Sequence, residues 1–283
     1  MRRTLEQPLS AERAYATAAE IARRASVEVV ELADLSDMTR ASVLFDDLWG
    51  TPGNSYLSPS LLRALSHAGN YAAAAFSGDR LVGAVMGFLG QDGDGTFLHS
   101  HILGVDPSHR GSNVGFALKQ HQRAWALDHG FGRVTWTFDP LVRRNAFFNL
   151  QKLGADAATY YENFYGDMSD EINGGDESDR LLIGWRLDSP RVDQAAEATV
   201  PQPDLDLLDA TVALSMDGIV SEDAWGQTIV CAVPEDIVEL RRSDQAAAAR
   251  WRFALRATLG AAMAGGYKVV GFARSGWYVL ERT

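Results

Sequence analysis

The stretch "FLHSHILGVDPSHRGSNVGFALKQHQRAW", residues 97–125, decides the fold. Phe97 to Val105 reads as a strand, and Pro107 and Gly111 mark a turn. The segment from about Asn113 to His129, stopped by Gly130, reads as a helix. A helix opening directly after a strand presents unpaired N–H groups and a partial positive charge at the strand's end. His109, Arg110 and Gly111 stand at that turn in a chain of formal net charge -11. An anion must be held by such local features, because the overall field repels it.

The rest of the composition narrows the class. With 283 residues, 46% of them hydrophobic, the chain can bury a sizeable core in one or two domains. The acidic balance argues against nucleic acid or an anionic membrane surface as partner. Cys231 is the single cysteine and sits in the apolar run "TIVCAV", the setting of a buried reduced thiol. The opening "MRRTLEQPLSAERAYATAAEIARR" has a basic start but no apolar run behind it, so it reads as an amphipathic helix and not a signal peptide. No stretch approaches the roughly 20 apolar residues of a membrane span. A cytoplasmic location is expected.

Around the deciding stretch the order of elements is β, α, α, β-β, β, α, β, α, β, β. Asp34 and Ser58 are candidate N-caps of two helices, with Pro59 at the first position of the second. "RVTWTFDP" is β-branched and aromatic and reads as a strand ended by Pro140. The expected fold is α/β, a mixed sheet covered by helices. Four segments follow: an N-terminal helix at 1–26, a main domain at 27–187, a Pro-, Asp- and Ala-rich linker at 188–210, and a smaller β-α-β-β unit at 211–283. "GDMSDEINGGDESD" holds six acids and no base, and reads as a solvated loop with the character of a mobile lid.

"GVDPSHRGSNVGFALK" resembles the pyrophosphate-binding turn of the GNAT N-acyltransferase superfamily, V-x-P-x-x-R-G-x-G-x-G-x-x-L. Val105, Pro107, Arg110, Gly111, Gly115 and Leu118 match, while Asn113 stands where the family has glycine. Asn enters positive-φ conformations more easily than most residues. The resemblance covers roughly 27–187. It implies a mostly antiparallel mixed sheet with helices on both faces, and acyl-CoA, acetyl or succinyl, as cosubstrate with no metal. It assigns the coenzyme to Leu103, Gly104, Val105, Arg110, Gly111, Ser112, Asn113, Val114, Gly115, Asn145 and Phe148. Asn145 lies in "RNAFFNLQKLGA" and takes the role of the residue that reaches the pantetheine arm. The chain also looks like a bacterial subgroup with an appended C-terminal unit, some members of which are associated with N-succinylation of amino acids.

Acyl transfer to an amine needs the amine deprotonated, the oxyanion stabilised and the thiolate protonated. His99 and His101 are two apart on a strand, so their side chains share a face, and an unperturbed pKa near ~6.5 suits a base or relay. Some family members carry such a His-x-His pair on the corresponding strand. Two hydrogen-bonded core histidines are the plainer reading, and no carboxylate or cysteine nearby completes a metal site. Leu150 occupies the position at which many members carry the proton-donating Tyr, which moves attention to Tyr161 and Tyr165. Arg143, Arg144 and Arg180 are candidates to hold a carboxylate, in an amino acid acceptor or in a dicarboxylic acyl group. The expected function is acyl transfer from coenzyme A to a small-molecule amine, an amino acid among them. A non-transferase acyl-CoA binder, regulatory or a decarboxylase, is the alternative. A homodimer through the C-terminal unit is compatible with either.

Overall fold

The computed structural model describes residues 10–49, 55–166, 176–206, 209–221 and 225–283. The chain forms two compact units, one from residues 1–135 and 186–190, the other from 136–185 and 191–283.

The first unit opens with α1 (Ala11–Arg24), capped by the Ser10 hydroxyl, which accepts from Arg13 N. The first nine residues of the expected helix lie outside the described residues. Then come β1 (Glu28–Glu31), α2 (Leu35–Trp49), α3 (Pro59–His67), β2 (Ala72–Ser77), β3 (Arg80–Asp92) and β4 (Gly95–Val105). A 3-10 turn at Pro107–His109, α4 (Val114–Asp128) and β5 (Arg133–Phe138) follow. Asp34 caps α2 by accepting from Asp37 N at 2.9 Å, and Ser58 caps α3 by accepting from Leu61 N at 3.3 Å. The strand order is β1-β2-β3-β4-β5, with antiparallel neighbours up to β4 and β5 parallel to β4. This is the mixed sheet expected from the sequence.

Two helical layers enclose that sheet. Met38, Phe45 and Leu62 from α2 and α3 pack on Ala84, Met86 and Ile102, and each is at most 7% exposed. The large side chains among them contribute roughly 1.5–3 kcal/mol apiece. On the other face α4 lies against the strands with α1 over it. Ala72–Ala75 of β2 are almost wholly buried. Alanine is a poor strand former, but its small side chain lets helices close on both faces, and packing overrides propensity.

Between α1, α4 and β2 lies a polar contact within the core. Tyr71 Oη and His121 Nδ1 are 2.8 Å apart, and Tyr15 meets the His121 ring edge-on at 5.7 Å. Burial lowers the His121 pKa to about 4, so the folded protein holds the ring neutral. The unfolded chain takes up that proton near pH ~6.5, before the folded state does. Stability is therefore expected to be full above pH ~6.5 and to fall as the pH drops towards 4. Urea unfolding at pH 7 and pH 5 checks this, and a His121→Gln variant should show a shallower slope. An identical slope in that variant would exclude His121 as its source.

The second unit carries the end of β5, where Trp136 meets Trp185 of β7 (Arg180–Arg186) edge-on at 5.8 Å. After β5 comes α5 (Arg143–Ala146), which widens into a π-turn at Phe147–Lys152, then β6 (Asp156–Tyr161), antiparallel to β7. Next are α6 (Pro190–Ala196), β8 (Thr211–Leu214), β9 (Thr228–Ala232), α7 (Ile237–Ser243) and α8 (Gln245–Leu255). A second π-turn (Arg256–Gly260), α9 (Ala261–Ala264), β10 (Tyr267–Ala273) and β11 (Trp277–Arg282) complete it. The C-terminal sheet has the order β10-β11-β9-β8, with β8 parallel to β9.

Residues 188–210 are less bare than their composition suggests. They contain α6, and Arg191 donates to Leu150 O at 3.1 Å and Val270 O at 3.2 Å. The acid-rich segment departs further from its expectation as a solvated loop. Residues 167–175 lie outside the described residues, but its end is buried and paired. Asp139, at the end of β5, receives both Arg252 terminal nitrogens at 2.9 Å and Arg241 Nη2 at 2.6 Å. Asp176 Oδ2 accepts from Arg241 and Arg252, each at 3.0 Å. Asp179 accepts from Tyr160 Oη at 2.6 Å and from Arg256, which also bonds Glu177. Burial alone would raise the Asp139 pKa, but the charge and hydrogen bonds of Arg252, then those of Arg241, hold it well below the carboxylate range.

Candidate functional site

β3 and β4 pair in one register except at a single step: Met86 faces Ile102, while Gly87 faces Ser100. His101 is therefore an extra residue on β4, a β-bulge. Before it, Ser100 points towards α4, where Lys119 Nζ donates to its Oγ at 3.1 Å. After it, Ile102 joins Met86 in the core under α2 and α3. One inserted residue exchanges the faces of the strand.

The bulge keeps both histidines on the α2–α3 face. Phe88, packed on that core, lies 5.2 Å from the His99 ring and 5.5 Å from the His101 ring, and the two imidazoles are 6.5 Å apart. His99 is half-buried, and its Nδ1 lies 3.0 Å from Thr135 Oγ1. His101 keeps part of its surface in solvent, and no protein group hydrogen-bonds either of its nitrogens among the described residues. Burial, then the neighbouring His101, then Lys119 push the His99 pKa down to about 4. Burial of part of its surface also lowers that of His101. Both rings are thus neutral and have a lone pair to offer at physiological pH.

Lys119 was not singled out from the sequence. It is 3% exposed, donates to Ser100 and to Gln122 Oε1 at 2.8 Å, and burial pulls its pKa well below that of an ordinary ammonium. It shares the buried side of α4 with Gln120, Gln122 and Arg123.

β4 and β5 pair at Leu98 with Val134 and at His99 with Thr135. Asp106 N donates back across the hairpin to Val82 O. By the two-residue alternation of a strand, Gly104 N–H shares that side, and the N–H groups of Leu103 and Val105 point to the opposite edge. On the α2 side, a Cβ at Gly104 would lie 2.7 Å from Leu48 Cδ1 and 3.1 Å from Trp49, so a larger residue would have to displace the ends of those side chains.

The turn after β4 is held by its own acid. Asp106 Oδ1 accepts from Ser108 N at 2.9 Å and Ser108 Oγ at 2.6 Å, and its other oxygen accepts from Arg80 at 2.7 Å. Those bonds lower its pKa, the Ser108 hydroxyl most of all. Gly111 adopts φ +85° and Asn113, at the N-cap of α4, φ +68°, so Asn supplies the left-handed residue in place of glycine. The Asn113 side chain does not cap the helix. A Cβ at Gly111 would meet nothing within 4 Å, and one at Gly115 would lie 3.6 Å from Leu103 and Val105. The protein's own packing therefore leaves a bare backbone cradle. Arg110 is exposed there and meets no carboxylate among the described residues. A pyrophosphate fits these groups: backbone N–H donors, one uncommitted guanidinium and no side chain in the way.

In the second unit, Asn145 and Phe148 are half-buried on α5 and its π-turn, and Arg144 is exposed. Leu150 is 1% exposed. Tyr165 Oη lies 3.3 Å from Thr137 Oγ1, with the Arg180 guanidinium 5.2 Å from its ring centre. Tyr161 stacks towards Phe164 with ring centres 5.1 Å apart. The first unit thus brings together His99, His101, Leu103 to Val105 and Arg110 to Gly115, and the second carries the other sequence-selected residues. No group of three His, Cys, Asp or Glu able to hold a metal occurs among the described residues. No helix among them is long and apolar enough to cross a membrane.

Residues 38–155 match the model of the acetyltransferase (GNAT) family. No curated protein matches the chain in sequence. Similar solved structures include an aminoglycoside acetyltransferase from an uncultured soil metagenomic sample, in complex with sisomicin (19% identity, 40% of this chain and 78% of that one, TM-score 0.37). Another is the ribosomal-protein-S18-alanine N-acetyltransferase of Escherichia coli (13% identity, 58% and 95% covered, TM-score 0.45). A third is yncA of Salmonella typhimurium with acetyl-CoA (14% identity, 58% and 95% covered, TM-score 0.48). Over residues 38–155 the chain is thus similar to the acetyltransferase (GNAT) family.

Proposed function

We propose that the protein transfers an acetyl, succinyl or similar acyl group from coenzyme A to the amine of a small molecule, amino acids among the candidates, by direct attack on the thioester. The observation that carries this reading is the pair of neutral, solvent-reaching imidazoles on a strand that runs into the bare Arg110–Gly115 cradle. In the first unit the cradle holds the pyrophosphate, with Ser112, Asn113 and Val114 presenting backbone. The N–H groups of Leu103 and Val105 meet the thioester oxygen as it gains charge. His99 or His101 takes the proton of the amine as the N–C bond forms and the C–S bond breaks. In the second unit Asn145 and Phe148 serve the pantetheine arm, Tyr161 or Tyr165 protonates the departing thiolate, and Arg144 and Arg180 hold the acceptor's carboxylate. Residues 27–187 are the acyl-transfer region and 211–283 an appended unit, in a cytoplasmic protein.

Calorimetric titration with acetyl-CoA, succinyl-CoA and free coenzyme A tests the reading, followed by thiol release with a panel of amines and amino acids. One acyl form should bind preferentially, and Arg110→Ala should weaken it about tenfold without altering the unfolding midpoint. No binding of any of the three would end the enzyme reading. Binding without turnover on any amine would favour the non-transferase alternative, for which buried, apolar Leu150 at the usual donor position is the supporting observation.

A further inference from the structure

We propose that Thr135 is a positioning residue that holds His99 in the tautomer protonated at Nδ1, leaving the Nε2 lone pair open to the acceptor amine. This rests on the reading of His99 as a proton acceptor. Thr135 Oγ1 and His99 Nδ1 are 3.0 Å apart, and the two residues are register partners across β4 and β5. Thr135 is 5% exposed, so water does not compete for the bond. No protein group hydrogen-bonds His99 Nε2 among the described residues.

The position explains the need. The pair sits beside the bulge at His101, where the β3–β4 ladder is locally disrupted. A hydroxyl tied to the ring restores order at that point, and Phe88 packs beside the ring at 5.2 Å. Threonine is stiff at χ1, so its oxygen is itself well placed.

The chemistry selects one direction for the bond. A hydroxyl can donate or accept. If Thr135 donated to Nδ1, the ring proton would sit on Nε2 and the accepting lone pair would be consumed. If Nδ1–H donates to Oγ1, the same bond survives unchanged when Nε2 gains a proton. Only the second arrangement serves both charge states of the ring. A carboxylate in the same place would orient the ring equally well but would favour the imidazolium. A neutral hydroxyl orients without making the ring a cation, which a proton acceptor requires.

Nitrogen NMR of the histidine rings reads the tautomer directly and independently of turnover. In the wild-type protein His99 should be protonated at Nδ1. In Thr135→Val, which keeps the shape and removes the hydroxyl, both tautomers should appear, and kcat should fall about fivefold to tenfold with KM for acyl-CoA unchanged. Thr135→Ser should restore both readouts. A wild-type ring protonated at Nε2, or a Thr135→Val protein with the wild-type tautomer and kcat, overturns the proposal. A tautomer that responds to Thr135→Val while His99→Ala leaves kcat intact would instead show that the proton-acceptor reading of His99 has failed.

Discussion

Replacing His99 and His101 together by alanine is expected to lower kcat by about 10²–10⁴-fold, the usual contribution of a positioned general base, while acyl-CoA binds as before. An amine with a solution pKa near ~10 is mostly protonated at neutral pH, so without an acceptor for its proton the nucleophile is scarce. Two neutral rings stand on one face of β4, and each single variant leaves the other. The single variants should therefore lose less than the double. Because the His99 pKa is lowered to about 4, the acid limb of kcat should lie near pH 4 to 5, below the ordinary histidine range. Steady-state kinetics across pH, with binding measured separately by calorimetry, checks both points. Full activity in the double variant would remove the histidines from the mechanism.

The largest loss of stability should follow Asp139→Ala. That carboxylate receives three charge-assisted bonds from Arg241 and Arg252, and Arg252 is only 1% exposed. Removing one member of a buried ion pair leaves the partner's charge uncompensated, which costs about 3–5 kcal/mol. The two guanidiniums would keep Asp176, so the lower part of that range is expected. Urea unfolding of the variant measures it, and a change under about 1 kcal/mol would mean that water or rearrangement replaces the carboxylate. The folded-state pKa of Asp139 is depressed, so its contribution is present above the unfolded carboxyl's pKa of ~3.9 and is lost as the pH falls below it.

Much of the first unit could be read from the chain. The caps at Asp34 and Ser58, the hairpin of β2 and β3, and the strand-turn-helix around Arg110 are local signals, and local signals appear in order along a sequence. Asn113 at a glycine position was legible for the same reason, since its tolerance of positive φ is intrinsic to the residue. The bulge at His101 was not legible, because an extra residue on β4 is defined only by its count against β3. Thr135 and Lys119 escaped notice for a related reason: what they do depends on a cross-strand or cross-layer neighbour. The described end of the acid-rich segment, from Asp176 to Asp179, departs most clearly from its expectation. Six acids without a base suggest solvation, but the bases that pair with Asp176 and Asp179 come from α8 and the π-turn after it, and from α7, some 65 to 77 residues later. Composition in a window carries no trace of partners so distant.

The buried ion cluster has a consequence for how such a protein can be inherited. Asp139, Asp176 and Asp179 lie upstream of residue 188, whereas Arg241, Arg252 and Arg256 lie downstream of residue 210. A gene shortened to end at residue 210 would therefore leave stranded carboxylates in place of a self-sufficient ancestor. Residues 211–283 are tied by buried charge to those aspartates, and losing them would leave the carboxylates unpaired unless they changed as well. Loss of the unit and loss of the acids should travel together.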